Sequence, residues 1–263
     1  MKHVYLAPHL DDAVMSSGGA IHRHTSSGDP VLAVTIFAGE FQGTHLPPFA
    51  LQQHGYWGDP PRPMTLRRAE DTAALALLDA EVHHLEYGDA VYRSGPDGHW
   101  LYASEEALFG DVHPDDPLIL DGMHELQNRL AELIPPTERT VVYAPLGAGH
   151  HVDHQIVHMA ARELQARGYR LAFYEDYPYG ERDGAVEAAL ASAGPGHWRP
   201  EIRSLDVQDL AAKVSALTYY RTQMSILFGG SEQMPGRVWA FAATRAPDAK
   251  LAERIWWPLL PQP

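Results

Sequence analysis

A short apolar run, a helix-sized segment and a second apolar run open the chain, and this order constrains the fold more than any other feature. The runs His3 to Pro8 and Val31 to Phe37 each have the length and composition of a buried strand. The segment between them contains Gly18-Gly19 and is long enough for a helix. A strand-helix-strand unit favours a parallel sheet with a right-handed crossover. The chain is therefore predicted to be an α/β protein.

The same alternation continues along the sequence. Helical periodicity and apolar runs predict, in order, a helix over Thr65 to Ala80, a strand over Val82 to Tyr87, a helix ending near Leu133, a strand over Thr140 to Pro145, a helix from Asp153, a strand over Leu171 to Tyr174, a helix through Leu210 and Met224, and a closing strand over Val238 to Ala243. We find no repeat or linker that divides the 263 residues, so one domain over residues 1–263 is predicted.

Two stretches show neither the periodicity of a helix nor that of a strand. Phe41 to Pro63 carries five prolines and several aromatic residues, and Asp89 to Pro117 is irregular as well. Connections of this length are uncommon unless they have a function, so both are interpreted as walls of a binding site.

Composition narrows the function. The chain has no cysteine, so a metal would have to be bound by imidazole and carboxylate groups. The formal charge of −14 disfavours nucleic acid as a partner. No apolar run is long enough to span a membrane, and no signal peptide precedes the first strand, so a soluble cytoplasmic protein is expected. Homo-oligomerisation is left open.

Two histidine-aspartate clusters follow predicted strands. His9-Leu-Asp11-Asp12 follows the first strand, and His151-Val-Asp153-His154 follows the strand ending at Pro145. Open parallel sheets build their sites at the carboxyl ends of the strands, so the clusters are expected to meet. Together they supply two imidazoles and one carboxylate, the ligand count of catalytic zinc sites that keep a position for water.

The roles within the clusters follow from spacing. Neighbouring side chains in a turn diverge, and Asp12 lies three positions after His9, so we predict a metal held by His9, Asp12 and His154. Asp11 is then free to act as the base that removes the proton of the bound water. His151 lies one turn before His154 and is predicted to protonate the departing amine.

These motifs resemble the LmbE-like, or PIG-L, family of N-deacetylases. The matching segments are Pro8-His-Leu-Asp-Asp12, His151-Val-Asp-His154, Arg67-Arg-Ala-Glu70 and Leu85-Glu-Tyr-Gly-Asp89. The resemblance implies a Rossmann-like fold with a mostly parallel sheet flanked by helices. It implies one zinc ion per chain and hydrolysis of the N-acetyl group of an N-acetylglucosamine-type sugar or conjugate.

The resemblance also assigns supporting residues. Asp153 is expected to orient a neighbouring imidazole, and Arg67 and Asp89 to contact sugar hydroxyls. Gly149 is a departure, because some relatives have a tyrosine two residues before the histidine acid. If a phenol stabilises the oxyanion here, another tyrosine must supply it.

Alternatives remain at this stage. The same site could cleave a larger sugar-conjugate amide, or the chain could be a non-catalytic metal- or sugar-binding homologue. The presence of both Asp11 and His151 argues against a mere binding module. Two histidines and one carboxylate also suit Fe(II).

Overall fold

We describe a computed structural model of the chain, which covers residues 1–193, 198–246 and 250–259. These residues contain one seven-stranded sheet. Its strands are β1 (Lys2–Ala7), β2 (Val31–Thr35), β3 (Glu81–His84), β4 (Thr140–Pro145), β5 (Arg170–Tyr174), β6 (Trp198–Leu205) and β7 (Leu251–Pro258).

The sheet is mostly parallel, which confirms the predicted fold class. The strand order is β3-β2-β1-β4-β5-β7-β6. The first five strands run parallel, whereas β7 pairs antiparallel with both β5 and β6. The helices are α1 (Asp12–Ser26), α2 (Pro48–Tyr56), α3 (Pro63–Leu77), α4 (Glu105–Leu108), α5 (Met123–Leu133), α6 (Val152–Ala166), α7 (Ala185–Ser192), α8 (Val207–Leu217), α9 (Arg221–Phe228) and α10 (Met234–Thr244).

Apolar cores lie on both faces of the sheet. One packs α1, α3, α8, α9 and α10 against the sheet, and the other packs α5, α6 and α7. A third apolar cluster contains side chains of α2 and α4, which pack near the carboxyl ends of the strands. After β1 the chain continues to β2 on one side of the sheet, and after β4 it continues to β5 on the other side. The adjacent strands β1 and β4 therefore form the switch point, which is where open α/β sheets bind ligands.

Several predicted elements are wrong near the carboxyl terminus. The predicted strand Val238 to Ala243 lies within helix α10, because Val238, Phe241 and Ala242 recur at helical spacing and are buried on one face. The predicted helix through Leu210 and Met224 is two helices, α8 and α9. The two antiparallel strands β6 and β7 are absent from the prediction.

Both irregular stretches contain helical structure. Phe41 to Pro63 includes the whole of α2, and Asp89 to Pro117 includes α4 and a 3-10 turn at Ala90–Tyr92. α2 has a weak amphipathic pattern because glutamine, histidine and glycine interrupt its apolar residues. No described helix has the length and apolar character needed to cross a membrane.

Candidate metal centre and active site

Three adjacent strand ends converge on one site. His9, Asp11 and Asp12 follow β1, and His151, Asp153 and His154 follow β4. The six side chains predicted as ligands and catalytic groups are all buried, and they are brought together at the switch point of the sheet. The third strand, β5, ends at Tyr174 and is followed by the buried carboxylate of Asp176, which the sequence analysis did not single out.

The three predicted ligands have the geometry of a metal site. Asp12 Oδ2 lies 3.2 Å from His9 Nδ1 and 3.4 Å from His154 Nε2. In a tetrahedral site with bonds of about 2.0–2.1 Å, ligand atoms are about 3.3 Å apart, so these donors fit one ion. His154 Nε2 is also buried without a hydrogen-bond partner among the described residues, which is the state of a nitrogen meant for a metal.

Each imidazole is fixed from its far side by a carboxylate. His9 Nε2 is 2.9 Å from Asp153 Oδ2, and His154 Nδ1 is 2.6 Å from Asp176 Oδ1. Such carboxylates set the tautomer and ring orientation of metal-binding histidines. The orienting role expected of Asp153 is therefore compatible with its position, and Asp176 occupies the equivalent position behind His154.

The charges of the donors favour a cation. Burial lowers the pKa of His9, but hydrogen bonds to Asp12 and Asp153 outweigh it and raise that pKa well above its usual range. The pKa of His154 is raised too, because Asp12 and Asp176 outweigh burial. The carboxylates that raise these pKa values would also stabilise a bound cation, for which protons compete at the same nitrogens.

Asp11 differs from its neighbour. Burial and the charge of Asp12 raise the pKa of Asp11 to about 7, against the lowering effect of Arg67. For Asp12, burial acts in the same direction, but the charges of His154 and His9 hold the pKa far below its usual range. One carboxylate therefore stays ionised while the other is poised to exchange a proton near neutral pH.

His151 begins helix α6. Its Nδ1 accepts the backbone N–H of Asp153 at 3.1 Å, so only Nε2 is available to exchange a proton with a ligand. Burial and the nearby charge of His9 lower its pKa well below the usual range. The resting side chain is therefore a neutral imidazole with its hydrogen on Nε2.

The two predicted sugar contacts line the same cavity. Arg67 Nη2 is 3.8 Å from Asp11 Oδ1, and the guanidinium of Arg67 lies over the ring of Trp57. Asp89 Oδ2 is 3.8 Å from His9 Nε2, while its other oxygen accepts the backbone N–H of Val91. Both side chains are thus positioned to contact a ligand near the metal centre, and their role stays a prediction.

A buried arginine ties the second irregular stretch to the site. Arg93 forms ion pairs with Asp153 and Asp116, and Tyr102 donates a hydrogen bond to Asp116. The sequence alone does not single out this arginine, because it lies in a segment without helical or strand periodicity. The pair of acidic residues directly after β5 is a signal for Asp176, because the acidic pair Asp11-Asp12 likewise follows strand β1.

Gly149 leaves space for a tyrosine. A Cβ at this position would lie 2.6 Å from Cβ and Cγ of Tyr179, and the residue has a φ of +90°. The Tyr179 ring packs edge-on against His154, with ring centroids 5.7 Å apart. Tyr179 therefore occupies the space beside Gly149 and lines the pocket.

A cavity of about 620 Å³ opens above the metal centre. We use the name floor for the polar base of the cavity together with the buried residues that support it. His9, Asp11, Asp12 and His151 line the cavity. Asp153 contacts His9, His154 contacts Asp12, and Asp176 contacts His154. We call the aromatic and aliphatic side of the cavity the wall; it consists of Phe49, Tyr56, Trp57, Phe109 and Ile226. The wall comes from α2, α9 and the end of α4, and Tyr56 and Ile226 are 52% and 41% exposed.

Comparison with known proteins agrees with the site. The sequence model of the family described as "PIG-L: GlcNAc-PI de-N-acetylase" matches residues 4–165. A 2'-N-acetylparomamine deacetylase of Niallia circulans is 27% identical, over 86% of this chain and 82% of its own. A 1D-myo-inositol 2-acetamido-2-deoxy-alpha-D-glucopyranoside deacetylase of Tsukamurella paurometabola is 29% identical, over 83% and 81%.

Solved structures give the same picture. The zinc-inhibited form of teicoplanin deacetylase Orf2 superposes with a TM-score of 0.81 and 29% identity, covering 98% of both chains. The hydratase GalB shares only the fold, with a TM-score of 0.58 and 18% identity. This architecture therefore accommodates different reactions, and the site must decide among them.

The fold and the site define a metal-dependent amide hydrolase. The family match extends over more than half of the chain, and its two His/Asp motifs provide the floor of the cavity. The chain therefore belongs to the PIG-L family and is an N-deacetylase, as the resemblance of its motifs implied.

Proposed function

We propose that the protein uses one zinc ion, held by His9, Asp12 and His154, to remove the acetyl group from an N-acetylglucosamine-type sugar joined to a bulky, partly apolar group. The observation that carries this proposal is the spacing of the three donor atoms beside a carboxylate whose pKa is about 7. Zinc in such a site lowers the pKa of a bound water and polarises a carbonyl oxygen.

Asp11 and His151 carry out the proton transfers and hydrogen bonding that the hydrolysis requires. Asp11 accepts the proton of the attacking water, which adds to the amide carbon. As the C–N bond breaks, the departing nitrogen takes up one proton, and Nε2 of His151 faces this nitrogen. If His151 is protonated, it is the predicted acid, and the proton held by Asp11 then restores it. If His151 is neutral, its Nε2–H donates a hydrogen bond while Asp11 supplies the proton. The products are acetate and a free amino sugar, so all atoms of the water and the amide are accounted for.

The cavity supports a large substrate. Its volume of about 620 Å³ lies within the range for drug-sized ligands and exceeds what one sugar ring requires. Arg67 and Asp89 line the cavity next to the floor, which supports their assignment to the sugar, and the wall offers an apolar surface to the group attached to the sugar. Two proteins that this chain resembles are named as deacetylases of 2'-N-acetylparomamine and of teicoplanin.

An acetate-release assay tests the proposal. Purified protein is incubated with free N-acetylglucosamine and with its conjugates to amino-cyclitol, inositol and aromatic groups. We expect stoichiometric acetate and amine, loss of activity on removal of the metal with a chelator, and recovery with zinc.

The competing functions give different results. An amidase for larger conjugates would release the conjugate's own acid and no acetate, and a binding homologue would release neither. Comparing zinc with Fe(II) in the reconstituted protein determines the metal. A cytoplasmic location, the absence of nucleic-acid partners and the oligomeric state stay predictions.

A further inference from the structure

Asp176 has two sets of hydrogen bonds that lead to different parts of the site. Its Oδ1 is 2.6 Å from Nδ1 of the metal-binding His154. Its Oδ2 accepts the backbone N–H groups of Gly147 and Ala148, at 2.8 and 2.9 Å. The carboxylate is fully buried, so water does not compete for either oxygen.

The two backbone groups belong to the loop that carries His151. This loop runs from the end of β4 to the start of α6 and contains three residues with positive φ, Gly147, Gly149 and His150. A backbone of this kind is not stabilised by a regular hydrogen-bond ladder, so single bonds matter more to its order. Asp176 accepts hydrogen bonds from two consecutive amides of this loop and holds them in place.

We propose that Asp176 is a positioning residue that couples occupancy of the metal site to the order of the His151 loop. A metal on Nε2 of His154 requires the hydrogen on Nδ1, which Asp176 then accepts as a charge-assisted bond. The same carboxylate is thereby held in place for Gly147 and Ala148. By linkage, an ordered loop must favour the metal by the factor with which the metal favours the loop. The inference rests on the metal site of the proposed function.

An experiment on the unmodified protein tests the coupling first. Amide hydrogen exchange of Gly147 and Ala148 is measured with and without saturating zinc. We expect zinc to slow exchange at these amides about tenfold or more. The proposal is overturned if zinc binds and the exchange rates do not change. If the protein binds no zinc at all, the proposed function fails as well, so the two failures are distinguishable.

Asp176→Asn separates the two bonds. An asparagine has a single acceptor oxygen. If it faces the loop, the amide N–H₂ faces Nδ1 of His154 and forces the hydrogen to Nε2, the nitrogen that binds metal. If it faces His154, the N–H₂ meets two N–H donors and the loop is released. In either orientation we expect zinc affinity to fall about 10–100-fold in competition with a chromophoric chelator. Zinc-dependent protection of the loop should disappear.

Glu175→Gln is the matched control. Glu175 is the adjacent buried carboxylate, but it accepts the indole N–H of Trp256 and pairs with Arg254. The substitution makes the same change of charge in the same segment, away from the metal centre. We expect it to lower thermal stability while zinc affinity and protection of Gly147 and Ala148 stay unchanged. Wild-type zinc affinity in Asp176→Asn, or equal losses in both variants, would reduce Asp176 to an ordinary structural residue.

Discussion

The floor and the wall of the cavity differ in polarity and in exposure to solvent. Every floor residue is buried and charged or polar, and all except Asp11 form a side-chain hydrogen bond that fixes their orientation. Asp11 instead lies 3.8 Å from the guanidinium of Arg67. The wall is aromatic and aliphatic, and its α2 and α9 side chains are partly exposed to solvent. A misplaced floor residue leaves a buried charge without its partner, whereas a changed wall residue loses only a little contact area.

This difference separates reaction from specificity. Under the proposed function, we expect the floor to determine which bond is hydrolysed and the wall to determine which groups may be attached to the sugar. Floor variants should therefore change metal content or kcat, and wall variants should change the preference among substrates. The expected effects decrease from the metal ligands to the wall.

Asp12→Ala should have the largest effect, since it removes one of three protein donors. We expect metal content to fall well below one per chain and activity to be lost with it. Asp11→Asn is the comparison, because an amide cannot accept the proton of water: metal content stays near one while kcat falls about 10²–10⁴-fold. Metal analysis together with single-turnover kinetics checks both variants. A filled site in Asp12→Ala and an empty one in Asp11→Asn would reverse the assignment of ligand and base.

His151 comes next, and its substitution distinguishes two ways of assisting the amine. His151→Ala should lower kcat about 10²-fold with the metal retained. If the neutral Nε2–H acts as a hydrogen-bond donor, His151→Gln should recover part of that loss, because its amide can also donate. If a protonated imidazole is required, glutamine should be no better than alanine, and the wild-type rate should fall as pH rises through the lowered pKa of His151.

The meeting of the two His/Asp clusters at one edge of the sheet could be predicted because each cluster follows a strand whose apolar run is unmistakable. Asp176 could not be distinguished from Glu175 by sequence, since both follow the same strand and only the fold turns one toward His154 and the other toward Trp256. Strand β7 has two adjacent charged residues, Glu253 and Arg254, between its apolar residues, and the segment Val238 to Ala243 is more apolar than β7 although it is helical. Tertiary packing overrides local pattern in both places.

Arg67 should have a smaller effect that appears in the pH dependence. Its positive charge lowers the pKa of Asp11, which burial and Asp12 raise to about 7. In Arg67→Met that pKa rises further, so a higher pH is needed to ionise the base. We expect the acid limb of kcat/KM against pH to move upward by about one unit. Arg68→Met, which removes a neighbouring charge that bonds to Glu86 and the Ala38 carbonyl, should leave the limb in place.

The smallest effects should come from the wall, and they should depend on the substrate. Ile226 is 41% exposed and lines the cavity, so Ile226→Ser should change the free energy of unfolding by no more than about 0.5 kcal/mol. Loss of its apolar contact should lower kcat/KM about tenfold for a conjugate with an apolar group, and hardly at all for free N-acetylglucosamine. Leu51→Ser, on the exposed face of α2 outside the cavity, is the control and should change neither value. Shortening the segment Phe41 to Pro63, which contains α2, should alter substrate preference more strongly than thermal stability. Equal losses on both substrates in Ile226→Ser would mean that the wall acts on the floor, and the separation of specificity from reaction would have to be abandoned.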